Sequence, residues 1–557
     1  MLRAVKTLIA CAAAAAAAVA LTSARPQGGG PLLAPVAPPE NLPTLDKILL
    51  GKILFWEEQL SSDDTVACGS CHSPQAGFSD PRTPVNPGPD GVTPSPDDVF
   101  GSPGVVRQDP LGAYSPDPVF DLFPQITGRH APEIVAALYA PEAFWDGRAS
   151  GTFVDPQTSL ISIPAGGALE SQVVGPPLSD VEMAHEARDW SQITAKLAQA
   201  RPWALATDHP ADAAAQLAAH PDYPSLFEAA FGDPAITAER IAFAIASYER
   251  TLVPDQTPWD RFVSGQPNAM TPDQIAGWNQ FNGPARCANC HTPPLFSDNR
   301  FHNLGLRPFG EDAGRMDVTG LFADRGKFKT PSLRNAGLRP RFFHNGSESQ
   351  LDNGPGPGGV DQVYVNGGGA FRDNLDPLLL PLAGQPGIVV PQIFEFVRNG
   401  LTDPRVAAAL PPFDRPTLHG QRVPPGSNVF GPSAAGSGGL APGLIAGVPA
   451  LAGGELKVGV RDARGGASAW LAVSTVPGTG APVNGVPVNV GLPAKRVLAA
   501  QLDGPAGAAG AGYSTFRAGI PARSALVGLD LYAQAFVADP AAAAGFAASR
   551  GARFTIR

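Results

Sequence analysis

"CGSCH" at residues 68–72 returns as "CANCH" at residues 287–291. The chain of 557 residues holds five cysteines, Cys11, Cys68, Cys71, Cys287 and Cys290, so four of them stand in this one pattern. Two thiols at C-x-x-C spacing add across the two vinyl groups of a haem, and the His that follows reaches the iron from one side. C-x-x-C-H is therefore the attachment signature of a c-type haem. Paired cysteines with histidines also bind zinc, and C-x-x-C can close as a disulfide in an exported protein. Two copies, each with its immediate His and with no spare cysteine, favour two covalently bound haem c groups. Cys68, Cys71 and His72 would hold one, and Cys287, Cys290 and His291 the other.

Cys11 belongs to a different kind of segment. Arg3 and Lys6 precede the run "TLIACAAAAAAAVALTSA". A short basic start, an apolar run and small residues before a break read as a secretory signal over residues 1–24, which predicts export to the periplasm. "LIAC" resembles a lipobox, but the apolar run continues past Cys11. No later apolar stretch is long enough to span a bilayer. The formal net charge of −10 argues against nucleic-acid binding, and it leaves room for a local charged patch that docks a small redox protein or another electron donor.

High Gly and Pro content, 63 and 61 residues, predicts long irregular connections. Residues 25–45 read as an extended surface segment and residues 80–120 as a long loop. "TAERIAFAIASYERTL" starts at Thr237, a candidate N-cap, and sets Ile241, Ala244, Ile245 and Tyr248 on one helical face. "TPDQIAGWNQF" offers Thr271 as N-cap, Pro272 at the first helical position and Gln274 for a capping box. From about Arg415 the pattern changes to period two. Leu456, Val458 and Val460 alternate in one run, and Leu529, Leu531, Ala533, Ala535 and Val537 in another, which predicts a small β-sandwich.

The segments "LGKILFWEEQLSSDDTVACGSCH", "FWDGRA", "LESQ", "EMAH", "AFAIASYERTL", "CANCH", "FHNLGL", "GKFKTPSLRNAGL" and "FFHNG" occur in that order. Over roughly residues 40–415 the chain resembles the bacterial dihaem cytochrome c peroxidases, the superfamily that includes MauG. The resemblance implies a mainly α fold: two cytochrome c-like haem domains, over 46–253 and 254–415, followed by a small C-terminal β-sandwich-like domain over 416–557. It implies an enzyme that reduces hydrogen peroxide at the N-terminal haem with electrons passing through the second. The alternatives are a MauG-like oxidase of a protein or organic substrate, and a non-catalytic dihaem electron-transfer protein. One Ca2+ between the haems, held mostly by carbonyls in a segment with Arg339 and Arg341, and a homodimer are further expectations of the resemblance.

The same match assigns site residues. His72 and His291 become the proximal iron ligands. Glu170, in "LESQ" after an insertion behind "FWDGRA", becomes the acid/base that moves the peroxide proton, with Asp155 as its competitor. Ala143 stands where the family often has a Gln, so a hydrogen-bond donor is expected to be missing. His130 is the first His after His72 and is read as an ordinary surface or interface residue, with an iron-ligand role as the minority alternative. Trp145, Asp146 and Arg148 should brace the haem pocket, and His344 should lie near the second haem. "GGVDQVYVNGGG" places Tyr364 as sixth ligand of the second haem. A hard anionic ligand there would hold a lower potential than the Met usual in peroxidases.

Overall fold

The computed structural model describes residues 30–95, 97–306, 312–353 and 358–557, so the expected secretory signal lies outside the described residues. Helix accounts for 27% and strand for 18% of the chain, with the longer strands gathered at the C-terminal end. Among the described residues no helix is long and apolar enough to cross a membrane.

Six helices position the motifs. They are α1 (Leu45–Phe55), α2 (Ala168–Val173), α3 (Ala238–Glu249), α4 (Pro272–Asn282), α5 (Val360–Val365) and α6 (Val390–Glu395). Three of them, α1, α3 and α4, start at a threonine whose side chain satisfies a free N–H group of the first turn. Thr237 Oγ1 accepts from Arg240 N at 3.2 Å ahead of α3. Ahead of α4, Thr271 Oγ1 accepts from Gln274 N at 3.2 Å while Gln274 Oε1 accepts from Thr271 N at 3.0 Å, the reciprocal pair expected from the sequence.

The packing repeats. α1 lies on α3 so closely that a Cβ added to Gly51 would stand 1.9 Å from the Ala244 carbonyl oxygen. α4 lies on α6 in the same way, with an added Cβ at Gly277 1.9 Å from the Gln392 carbonyl oxygen. Each glycine is followed four residues later by a buried phenylalanine, Phe55 or Phe281. Each pair leads into one C-x-x-C-H. The first pair builds a core with Leu50, Ile53, Trp56, Phe78, Ile241 and Tyr248. The second core is mainly aromatic, with Phe296 edge-on to Trp259 at 4.9 Å and Phe281 edge-on to Phe396 at 5.5 Å.

The C-terminal block is built on two larger antiparallel sheets, with a separate two-stranded ribbon of Pro482–Val483 and Val486–Pro487. Its main strands are β1 (Gly443–Ile445), β2 (Glu455–Ala463), β3 (Ser468–Ser474), β4 (Arg496–Gln501), β5 (Gly512–Gly519), β6 (Asp530–Ala538) and β7 (Gly551–Thr555). One sheet runs β5-β2-β1, the other β4-β3-β6-β7 with short strands added on β6 and β7. Leu456, Val458, Val460 and Phe516 of the first meet Ala469, Leu471, Ala533, Ala535 and Val537 of the second in one buried core, as the alternation predicts. Leu529 departs from that pattern. It is 46% exposed, because the chain turns at Gly528 (φ 88°) and β6 starts only at Asp530.

The block is fastened to the long loop ahead of the "FWDGR" segment. Val106, Tyr114 and Leu122 pack on Val448. Tyr114 N donates to Thr515 Oγ1 at 2.8 Å, and buried Lys457 donates to Gln108 Oε1 at 2.7 Å with its ammonium 4.4 Å from the Tyr114 ring centroid.

Candidate active site

The two C-x-x-C-H segments are built alike. Residues Cys68–Cys71 form one helical turn, and His72 N donates back to the Cys68 carbonyl at 3.0 Å. His291 N donates to the Cys287 carbonyl at 2.9 Å. Each imidazole is then fixed from behind. His72 Nδ1 donates to the Phe78 carbonyl oxygen at 3.2 Å, and His291 Nδ1 donates to the Phe296 carbonyl oxygen at 3.1 Å. Both phenylalanines are fully buried and both are left-handed, with φ of 67° and 57°. A backbone carbonyl on Nδ1 sets the tautomer and leaves Nε2 as the metal-binding nitrogen, the usual support of a ligating His.

The four described cysteines are unpaired. Burial pushes the Cys68 and Cys287 thiols up to about 12. Among the described residues no three His, Cys, Asp or Glu side chains are grouped to hold a metal ion, whereas structural zinc needs four such donors. Two thiols and one carbonyl-backed imidazole at the edge of a cavity fit a haem instead.

Cys68, Cys71 and His72 line the first cavity together with Phe144, Arg148, Gln172, Glu182, Met183, Ile245 and Glu249. Cys287, Cys290 and His291 line the second with His302, Arg339, Arg341, His344 and Tyr364. Trp145 and His130 border both cavities. Trp145 Nε1 donates to the His130 carbonyl at 2.8 Å, and His130 N donates to the His344 carbonyl at 2.7 Å, so one hydrogen-bonded wall separates the two spaces.

Tyr364, on α5, faces the cavity that holds His291, and burial raises its phenol above the ordinary value. His302 borders the same cavity, but both its nitrogens are engaged, Nδ1 with Asp376 at 2.6 Å and Nε2 with Asp298 at 3.0 Å. Burial opposes charge on this ring, yet hydrogen bonds to Asp298, Cys290 and Asp376 push it up to about 11. A doubly protonated imidazole has no lone pair for iron. His130 is buried, its Nε2 is 2.9 Å from Ser79 Oγ, and burial lowers it to about 4. His344 is buried and stacked on Phe328 at 3.4 Å.

The brace around "FWDGR" is ionic. Asp146 accepts from Arg129 and from Arg148, and Arg129 also grips Asp312 at 2.6 Å. The Arg148 guanidinium lies 3.6 Å from the Phe144 ring centroid. Asp155 serves a local turn, accepting from Gln157 N and Thr158 Oγ1, and does not border the first cavity.

Glu170 is fully buried on α2 and does not border the first cavity. Its Oε1 accepts from Arg250 Nη1 at 2.7 Å and from Asn41 Nδ2 at 2.8 Å, and its Oε2 accepts from Arg250 Nη2 at 3.0 Å. Gln172, two positions on, is the residue of "LESQ" that lines the cavity. Residues two apart on a helix project about 200° apart, so one of the two must face away. Gln172 thus brings an amide to the wall of that cavity, which Ala143 cannot do. Glu182, Glu249 and the two-sided Trp145 were not foreseen in these places from the sequence.

Two carbonyl-backed C-x-x-C-H imidazoles, each with its own cavity and with one shared wall, could each serve one haem. Residues 45–268 match the model of the di-haem cytochrome c peroxidase family. It is 30% identical over 328 residues to cytochrome c peroxidase Ccp of Escherichia coli, covering 57% of this chain and 54% of the relative, so it spans about half of that relative's length. Cytochrome c551 peroxidase of Nitrosomonas europaea is 28% identical over 318 residues, covering 56% of this chain and 72% of the relative. The methylamine utilization protein MauG of Methylophilus methylotrophus is 29% identical over 314 residues, covering 56% and 71%. Among solved structures, a MauG-like protein associated with microbial copper homeostasis has a TM-score of 0.48 at 21% identity, covering 70% of this chain and 98% of that one.

Proposed function

We propose that this chain is a periplasmic c-type dihaem enzyme that reduces hydrogen peroxide in the His72 cavity, with electrons entering through the His291 cavity from a small redox protein. The observation that carries the reading is the duplicated imidazole support, a ring held by the carbonyl of a left-handed phenylalanine beside two free thiols. Residues 46–253 and 254–415 would be the two haem domains, with Cys68 and Cys71 attaching one group and Cys287 and Cys290 the other. Each haem supplies one-electron redox chemistry at iron when bound. The protein's own part is to hold His72 and His291 in one tautomer, to shape the first cavity, and to place proton-carrying groups beside it. Peroxide reduction takes two electrons and two protons to two waters. Gln172 can donate a hydrogen bond to bound peroxide, and Arg148 sets positive charge at the cavity. Tyr364, which lines the cavity with His291, would be a further protein ligand of the second haem. A Ca2+ site made of backbone carbonyls and a homodimer stay part of the proposal.

Tyr364 also favours a second reading, a MauG-like oxidase, because a phenolate ligand would stabilise the more oxidised states of the second haem. The test is steady-state peroxide reduction by the haem-loaded protein with a reduced small cytochrome as donor, paired with electron paramagnetic resonance of the resting protein. The expected result is sustained turnover and one high-spin ferric signal. Two low-spin signals and no turnover would overturn the proposal in favour of a plain electron carrier.

A further inference from the structure

A carboxylate can be kept wholly out of water only where other groups replace its hydration. Glu170 is 0% exposed, and two distant parts of the chain supply those groups. Arg250, which closes α3, donates from Nη1 to Oε1 at 2.7 Å and from Nη2 to Oε2 at 3.0 Å. Asn41, 129 residues earlier and ahead of α1, donates from Nδ2 to Oε1 at 2.8 Å.

Asn41 is itself clamped. It is fully buried, its Nδ2 also donates to the Phe243 carbonyl at 3.0 Å, and its Oδ1 lies 3.5 Å from Ser247 Oγ. Phe243 and Ser247 stand one turn apart on α3, so the amide is held against that helix and aimed at Glu170. The segment around Asn41 is tied down on both sides. Leu32 is buried, the Tyr139 hydroxyl donates to the Leu33 carbonyl at 2.5 Å, and Thr44 caps α1. Glu170 sits close behind the first cavity: Val173, one turn on along α2, borders it, and so does Glu249, next to Arg250. Two charged groups act on Glu170 here, the Arg250 guanidinium and the Glu249 carboxyl, whereas Asn41 adds a donor without a charge.

Resting on the peroxide reading above and on the acid/base role that the motif match gives Glu170, we infer that Arg250 and Asn41 are its positioning residues. Arg250 holds Glu170 as a carboxylate, and Asn41 fixes the direction in which that carboxylate turns. The two roles are separable. A neutral side chain in place of Arg250 would leave a buried charge unpaired, and a proton would then settle on Glu170. An apolar side chain in place of Asn41 keeps the charge balance and loses only direction.

The experiment compares haem-loaded wild type with Arg250→Gln, Arg250→Lys, Asn41→Leu, Glu170→Gln and the double variant Arg250→Gln with Glu170→Gln. It reads the pH dependence of peroxide reduction and the infrared C=O stretch of neutral carboxyls. In Arg250→Gln the acid limb of the rate profile should move up by about 1–3 pH units. The same variant should gain, at neutral pH, a deuterium-sensitive carboxylic-acid band that the double variant lacks. Arg250→Lys should return most of the limb and remove the band, because it restores the charge without the two-pronged geometry. Asn41→Leu should move the limb by less than about one unit and lower the plateau rate about 10–100-fold. An unmoved limb and no new band in Arg250→Gln overturn the role of Arg250, and a plateau within about twofold of wild type in Asn41→Leu overturns that of Asn41. Should Arg250→Gln not fold, Arg250→Lys and Asn41→Leu decide, and wild-type plateau rates in both overturn the inference. A Glu170→Gln protein with the wild-type rate removes the acid/base assignment. A two-haem wild type that does not reduce peroxide removes the parent reading, so the failures are told apart.

Discussion

Gly51→Ala tests one of two equally close helix contacts among the described residues, the other being at Gly277. The new Cβ would start 1.9 Å from Ala244 O, 2.6 Å from Ala244 C and 2.9 Å from Tyr248 Cβ. The first two atoms are backbone and cannot rotate away. Reaching even 3.0 Å from the oxygen requires the helices to part by at least 1.1 Å. Overpacking of this kind costs about 1–3 kcal/mol, and a backbone obstacle puts the cost near the top of that range. Replacing a mid-helix glycine returns up to about 1 kcal/mol of helix propensity. The net loss is about 2 kcal/mol, or about 4–8 °C in Tm for a unit of roughly 200 residues. Thermal melting of the haem-loaded protein, followed by far-ultraviolet dichroism and by haem absorbance, is the assay. The haem spectrum should shift in the same variant, because α3 carries Ile245 and Glu249 into the cavity. Gly277→Ala should behave likewise, and Gly519→Ala, with nothing within 4 Å of the added atom, should not. A Gly51→Ala protein that melts at or above the wild-type temperature would refute the close-packing argument.

Cys287→Ala combined with Cys290→Ala should halve the covalent haem content, measured after acid-acetone extraction; full retention would contradict attachment at "CANCH". Tyr364→Met should create the near-infrared charge-transfer band of a His/Met haem and raise the potential of the second haem. An unchanged spectrum in Tyr364→Phe would reduce the tyrosine to packing. Asp155→Asn should leave peroxide turnover within about twofold, since its oxygens only close a turn. Glu58 should make stability fall as pH rises. Burial pushes it up to about 8, the backbone N–H groups of Gly420 and His419 work against this, and the Glu57 charge adds to it. The folded state therefore holds this proton more tightly than the unfolded chain does. The contribution is complete below about pH 4.5, shrinks by roughly 1 kcal/mol per pH unit above that, and is gone once pH passes about 8. Tm should drop between pH 6 and 8, and Glu58→Gln should flatten that slope.

Local rules made some of this structure readable in advance. The Thr237 and Thr271 caps work through side chains three residues apart, so the sequence pattern and the hydrogen bonds coincide. Period-two alternation found the sandwich core because one face of each sheet is buried. The lining of the first cavity is harder to read, because it depends on rotation about a short helix. "LESQ" names Glu170 and Gln172 together, and only the position of Arg250 decides which of them borders the cavity. Glu249 sits in an unremarkable helix, and nothing in "SYERTL" says that adjacent Glu and Arg part company. Trp145 was legible as a pocket brace, but its contact with both cavities depends on how segments some two hundred residues apart meet.

The fastening of the sandwich to the loop has a consequence for how such chains arise. Tyr114, Val106 and Leu122 have their apolar partner in Val448, and Lys457 has its acceptor in Gln108. A loop without the sandwich would bare an apolar patch, and a sandwich without the loop would leave the Lys457 ammonium without its Gln108 acceptor. Neither half is an advantage alone. The loop and the C-terminal block are thus expected to be gained or lost together across relatives, and a truncation ending near residue 415 should be soluble only if the loop of residues 100–126 is shortened as well.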